Sequence, residues 1–398
     1  MPARFPALHN RPFRAFWLSQ TVSLTGTWMQ NLALPWLAYT LTGSPFLLGL
    51  VGAFQFLPTM LLSLFAGAVI DRQVKVKVVF AAQVTLMLGS ALLAALVFTH
   101  SASYPLLLGV ALVMGMATMM DFPARQAMVG ELVGKELLMN AVALNSSLFN
   151  AARIVGPALA GLVMGAWGIG WCFALNAVSF LPTLFVLSRL PRKVPPATGE
   201  PRHLWKDTKD GVKYVLALPG LRSVLLAVGL MSIFGFNFSV LLPVLVKQKL
   251  GLGETAYGLL MSCMGVGSFL AAFTIAARSS RGPRVAILAL APLATGVLFL
   301  GLAFAPWLPL IGGLMVLVGF SNVAFFTTAN SYLQVTTDPR YTGRVTAYYS
   351  LLFGGMTPLG STLAGALVEK GGPGLGFLVT GSVLIFVAVV YRVARNRT

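Results

Sequence analysis

The run from about Met139 to Trp167 is long and apolar enough to cross a bilayer, yet it carries Arg153 at its middle. An arginine at mid-depth costs at least about 2.5 kcal/mol even on insertion scales, and from there its side chain reaches neither headgroup region. It must therefore face protein or a water-filled cavity. Around it the sequence reads NSSLFNAARIVGPALAG, and Gly156, Pro157, Ala160 and Gly161 offer small surfaces to a neighbouring helix. The missing N–H of Pro157 permits a kink. The stretch is predicted to be both a packing seam and the wall of a polar pathway.

The rest of the chain agrees with a membrane setting. Of its 398 residues 57% are hydrophobic and 10% charged, against roughly 25% charged in soluble domains. Apolar runs of spanning length fall at roughly 13–41, 45–70, 77–99, 103–122, 139–166, 168–189, 217–246, 255–277, 285–304, 306–333, 345–368 and 373–391. The expected fold class is an all-α membrane protein with twelve transmembrane helices. The net charge of +18 does not form a nucleic-acid surface, because the basic residues sit in short loops between spans. Of the 28 lysines and arginines, 23 fall on one side, which places both termini in the cytoplasm. Of the other five, Lys247, Lys249 and Lys370 lie opposite, Arg153 is inside a span, and Arg222 stands near the start of the seventh helix.

The longest connection, about 191–213, is Pro/Gly-rich at its start and basic throughout. It divides the chain into an N-terminal six-helix bundle (1–190) and a C-terminal one (214–398), and its end can form a short surface helix. The two parts resemble each other. Leu34-Pro35 with Gly49 matches Leu242-Pro243 with Gly258 at an offset of 208 or 209 residues, and Leu148-Phe149 with Ala160-Gly161 matches Leu352-Phe353 with Ala364-Gly365 at 204. A repeat at nearly constant offset marks a duplicated six-helix unit, with pseudo-symmetric bundles enclosing a site at mid-depth.

Gly67-Ala-Val-Ile-Asp71-Arg72-Gln-Val-Lys75-Val-Lys77 joins the second and third helices, and here the chain resembles the major facilitator superfamily. The match covers Gly67, Asp71, Arg72 and the trailing lysines; Val74 replaces the usual glycine, which loosens the turn. A carboxylate there can accept from the free N–H groups that begin a helix near Gly343 and Arg344, which would latch the cytoplasmic side. Topogenic charge alone is the plainer explanation of the loop. Arg153 with Gly156, Pro157 and Gly161, together with PARQAMVGELV (123–133), NAVALNSSLFNAAR (140–153) and GRVTAYYSLLFGGMTPLGSTLAGALVE (343–369), is similar to the drug:proton antiporter branch that contains enterobactin exporters and multidrug efflux proteins. The resemblance implies export of small amphipathic molecules in exchange for protons by alternating access in a prokaryotic inner membrane. An importer or facilitator of an organic anion is the alternative, and a non-transporting receptor or scaffold a more distant one.

Polar residues interrupting the spans outline the expected cavity: Gln30, Asn31, Gln55, Asn150, Arg153, Asn237, Asn322 and Asn330. Each alone also serves as an interhelical hydrogen bond. All ten acids map to loops or helix ends, and Asp121 is the candidate for proton coupling, with an ion pair to Arg125 one turn away as the structural alternative. The expected partners are a small-molecule substrate, protons and the lipid bilayer, with no nucleic acid, and the chain is expected to act as a monomer. No cofactor or metal is expected and no enzyme chemistry: Cys172 and Cys263 lie in apolar runs, GVGSFL at Gly265 lacks the strand a dinucleotide site needs, and the ATP-binding Gly-x-x-x-x-Gly-Lys-Ser/Thr loop is missing.

Overall fold

The computed structural model describes residues 5–191, 204–278 and 282–396, except the side chains of 64–68, 71, 204–208 and 393–396. In chain order the helices are α1 (Arg11–Thr42), α2 (Pro45–Asp71), α3 (Lys75–Phe98), α4 (Tyr104–Trp167), α5 (Ile169–Arg189), α6 (Leu204–Ala217), α7 (Pro219–Gly235), α8 (Phe238–Val244), α9 (Glu254–Ala276), α10 (Ile287–Phe304), α11 (Leu308–Thr336), α12 (Thr342–Gly355) and α13 (Thr357–Asn396). A helical turn at Pro6–His9 precedes α1, and one wide turn, Leu245–Lys249, follows α8. Among the described residues there is no strand.

Helix starts follow local chemistry. Asn10 Oδ1 accepts from the Phe13 amide at 3.1 Å to open α1, while its Nδ2 donates to the Leu132 carbonyl at 2.9 Å, so one side chain caps a helix and ties it to α4. Ser44 Oγ does the capping for α2, accepting from Leu47 N at 3.2 Å.

Among the described residues nine helical stretches are long and apolar enough to cross a membrane. Two of them bend back. At 1.5 Å per residue the 64 residues of α4 would reach about 96 Å, some three times a hydrocarbon core; the helix is broken at Gly134, whose φ of 73° glycine adopts without a Cβ clash. Helix α13 is broken in the same way at Gly371 and Gly372. The connection expected between 122 and 139 is thus helical on both sides of one glycine, because good helix formers outside an apolar run continue the helix.

The chain divides into two compact units. The first gathers Met1–Thr42, Leu57–Ala197 and Gly253–Ser262; the second gathers Gly43–Phe56, Thr198–Leu252 and Cys263–Thr398. In the first, Phe13, Phe16, Val79, Met128 and Leu187 are fully or almost fully buried together where α1, α3, α4 and α5 meet. Between lipid-embedded helices apolar burial supplies little drive, so packing and hydrogen bonds hold them. The bonds centre on Asn176, whose Nδ2 donates to Gln30 Oε1 at 2.8 Å and Ser90 Oγ at 3.1 Å, while Gln30 Nε2 reaches Met114 Sδ at 3.2 Å. One amide pair thereby links α1, α3, α4 and α5. In the second unit Phe299 stands edge-on to both Phe238 and Phe377, each at 5.5 Å, which pins α8, α10 and α13.

Candidate functional site

In the first unit Arg153 projects from the second limb of α4 toward α1. Its guanidinium carbon lies 5.4 Å from the Trp28 ring and 5.0 Å from the Phe149 ring, and those two rings meet edge-on at 5.5 Å. Among the described residues no carboxylate pairs with it. Two aromatic faces thus offset part of its desolvation, each contributing about 0.5–2 kcal/mol. Gly156 lets Trp28 sit there: a Cβ on Gly156 would collide with that of Trp28 and stand 3.2 Å from the Thr25 carbonyl oxygen. Asn31, one turn along α1 from Trp28, is exposed, and Asn150 is half-buried with Nδ2 on the Ser146 carbonyl of its own helix at 2.9 Å. Gln30 is 4% exposed and its amide is committed to Asn176 and Met114.

Beyond Gly156 the same limb packs on the start of α9. A Cβ at Gly258 would lie 2.7 Å from the Gly161 Cα and 2.6 Å from the Pro157 carbonyl oxygen, so the two helices touch backbone to backbone. Thr255 Oγ1 donates to Gly161 O at 3.2 Å and Ser262 Oγ to Ile154 O at 3.0 Å. At the seam's end Trp36 stacks on Tyr257 at 5.5 Å and donates through Nε1 to Glu254 Oε1 at 3.0 Å.

The second unit repeats this arrangement with other residues. A Cβ at Gly365 would lie 2.6 Å from the Pro45 carbonyl oxygen and 3.3 Å from the Gly49 Cα. At the end of that seam the Glu369 carboxylate accepts from Ser44 Oγ at 2.9 Å and the Phe46 amide at 3.1 Å, an anion at the open N-terminus of α2. Gly49 and Gly258 are repeat mates, as are Gly161 and Gly365. The two seams are therefore one contact made twice with the partners exchanged.

Between α7 and α8 the run read from sequence as one span is interrupted at Phe236-Asn237. Asn322 Nδ2 donates to the Gly235 carbonyl at 3.2 Å and Asn237 Nδ2 to the Ile233 carbonyl, so these amides satisfy backbone that the break leaves open. Both are at least 97% buried, at 2% and 3% exposure, and the Oδ1 of each has no donor among the described residues. Phe236 at the break is partly exposed and clusters with Phe326, at 6.2 Å, and Phe353, at 6.0 Å.

The other sequence candidates sit apart from these clusters. Buried Asp121 accepts from Arg125 as an ion pair and from Gln83 Nε2 at 3.0 Å. Gln55 is half-buried, and Asn330 Oδ1 accepts from Gln334 Nε2 at 3.0 Å. Arg72 and Gly343 are exposed, and Arg344 lies over the Tyr341 ring at 5.3 Å. The surroundings of Gly67 and the side chain of Asp71 lie outside what the structure describes. Sequence reasoning did not find Trp28, Glu254, Glu369 or Asn176 as partners. A tryptophan one helical repeat from polar positions and an asparagine inside an apolar run were the available signals.

An all-helical chain with nine described stretches able to cross a membrane, a helix break and aromatic walls around a cation has the architecture of a multi-pass membrane transporter, and its relatives place it there. A profile described as a transmembrane secretion effector matches residues 3–397, and the chain belongs to that family of the major facilitator superfamily. It is 27% identical over 397 residues to the enterobactin exporter EntS of Shigella boydii serotype 4, covering 96% of this chain and 92% of that one. It is 26% identical over 377 residues to the multidrug efflux pump Tap of Mycolicibacterium fortuitum, covering 92% and 91%. Its fold matches the crystal structure of the nucleoside transporter NupG with a TM-score of 0.78 at 13% identity, over 96% of this chain and 99% of that one.

Proposed function

We propose that the protein is a secondary active exporter of small amphipathic molecules, drug- or siderophore-like, working by alternating access in exchange for protons in a prokaryotic inner membrane. The observation that carries this reading is the exchanged pair of seams, Gly161 on Gly258 and Gly49 on Gly365. Contacts exchanged between repeat mates are what two related six-helix halves make when they close on one another, and alternating access rocks one such half against the other. Dividing α4 at Gly134 and α13 at Gly371-Gly372, and adding α1, turns the nine stretches into twelve crossings with both termini cytoplasmic. Both seams then lie toward the outer ends of their helices, near Glu254 and Glu369.

Export is favoured by the relatives, an enterobactin exporter and an efflux pump. Arg153 between Trp28 and Phe149 suits an aromatic, anionic substrate, whose charge meets the guanidinium and whose rings stack beside it. Asn31 and Asn150 flank it in the first unit, and Asn237, Asn322 and Phe236 are the proposed polar and aromatic contacts of the second. Asp121 is the proposed proton acceptor, its charge traded against Arg125. In everted vesicles energised by respiration, a fluorescent phenolate should accumulate inside, and an uncoupler should abolish it. Accumulation indifferent to the uncoupler would replace exchange by facilitation, and outward movement from the vesicles would reverse the direction.

A further inference from the structure

Helix α6 carries Val212 and Leu216 on one side and exposed Lys209 and Lys213 on another. Such a basic amphipathic helix lies in the plane of a membrane interface. Its apolar side forms one wall of a cavity of about 400 Å³ in the second unit, with Leu226 and Gly229 of α7 and Leu352 of α12 among the other walls. That volume is within the roughly 300–1,000 Å³ of small-molecule sites. Apart from Arg222 and Tyr348 the lining side chains are apolar, and none is acidic. Among the described residues Arg222 forms no ion pair.

An apolar cavity within a bilayer fills with hydrocarbon and not with water. One guanidinium on its wall, with no carboxylate among the described lining residues, calls for an anion covalently attached to that hydrocarbon. The planar fork of arginine matches a phosphate with two parallel N–H···O bonds. Lys209 and Lys213, partly offset by Asp210 between them, leave a positive potential that draws acidic headgroups, at about 1 kcal/mol per net basic charge near an anionic surface. We propose that this cavity holds one acyl chain of an anionic phospholipid, with the phosphate on Arg222. The lipid would act as a filling between α6, α7 and α12. This site depends on the membrane setting of the chain and not on the transport reading, so it stands or falls separately from it.

The full-length protein, exchanged into nanodiscs of equal parts phosphatidylglycerol and phosphatidylcholine and then released, is analysed by native mass spectrometry for the lipid it keeps. The wild type should keep phosphatidylglycerol in preference by about tenfold, because the choline of phosphatidylcholine offsets the phosphate charge that Arg222 meets and the neutral glycerol does not. Arg222→Gln should bring the ratio to about one while lipid is still kept, and Gly229→Leu, which fills the cavity beside Leu352, should reduce both lipids. A phosphatidylglycerol with a diazirine in its acyl chain should label peptides from 212–233 and 348–356. Equal retention in the wild type, an unchanged ratio in Arg222→Gln, labelling confined to other segments, or displacement of the label by a transported phenolate would each overturn the proposal. If Gly229→Leu fails to fold, the Arg222→Gln ratio and the labelling map decide.

Discussion

Gly258 meets Gly161 so closely that a single methyl group on the former would stand 2.7 Å from the Cα of the latter. Their repeat mates, Gly49 and Gly365, meet in the second unit with Cα and virtual Cβ 3.3 Å apart. Neither contact leaves space for a side chain. Overpacking of this kind costs about 1–3 kcal/mol.

Gly258→Val and Gly49→Val should each reach the membrane but lose transport by about tenfold or more, the effect of roughly 1.4 kcal/mol on a conformational equilibrium. In a background lacking Cys172 and Cys263, maleimide labelling of a cysteine at Thr255 should rise in Gly258→Val, because the seam can no longer close over it. Unchanged labelling and transport would remove the seam from the conformational cycle.

Arg153 has aromatic neighbours and, among the described residues, no carboxylate partner, so under the proposed function it should discriminate substrates by charge. Arg153→Ala is expected to lower export of anionic phenolates by at least about tenfold while cationic dyes change by less than about threefold, as loss of one charge-assisted contact predicts. Trp28→Ala should weaken both, by about the 0.5–2 kcal/mol of a cation–π contact together with lost stacking. Equal losses for anions and cations in Arg153→Ala would reduce the arginine to a structural role.

Glu369 sits at the open N-terminus of α2 with two hydrogen bonds. Glu369→Gln keeps the shape and removes the charge, which weakens an anion–helix contact by about 0.3–1 kcal/mol. The expected result is a two- to five-fold rise in labelling of a cysteine at Ser361, with expression unchanged. A fall in labelling would mean that the carboxylate holds that seam apart.

Asn176 and Asn150 provide an internal control. Asn176→Leu strands Gln30 and Ser90, and should lower thermal stability in detergent by about 1–3 kcal/mol. Among the described residues Asn150 bonds only to its own helix at Ser146, so Asn150→Leu should leave the unfolding midpoint almost unchanged. If both variants unfold alike, the Asn176 network is not what joins those four helices.

Much of the fold was legible because crossing a bilayer leaves a long, one-dimensional signature. Hydropathy located most of the helices, and the sequence matching of Gly49 with Gly258 and of Gly161 with Gly365 picked out glycines that the structure places in close helix contacts. What the spacing did not reveal was that Gly49 would find Gly365 and not another glycine, since pairing across 316 residues is decided by packing in three dimensions. The polar residues were harder. An amide in an apolar run announces that it needs a partner and says nothing of direction, so Gln30 and Asn31, adjacent in sequence, lead separately into the bundle interior and to an exposed face. The break at Phe236-Asn237 was hidden for a related reason: Asn322, far along the chain, completes the interrupted backbone there.

Contact between two bare main chains also has a kinetic meaning. With no side chain interposed between Gly161 and Gly258 themselves, parting the helices there breaks the flanking Thr255 and Ser262 hydrogen bonds and a van der Waals contact whose attraction fades within an ångström or so of separation. Such a joint behaves like two smooth plates and not like a bolt. It registers the helices tightly at rest and offers little friction once the two flanking hydrogen bonds are broken, so in the proposed cycle the hinge need not be the slow step.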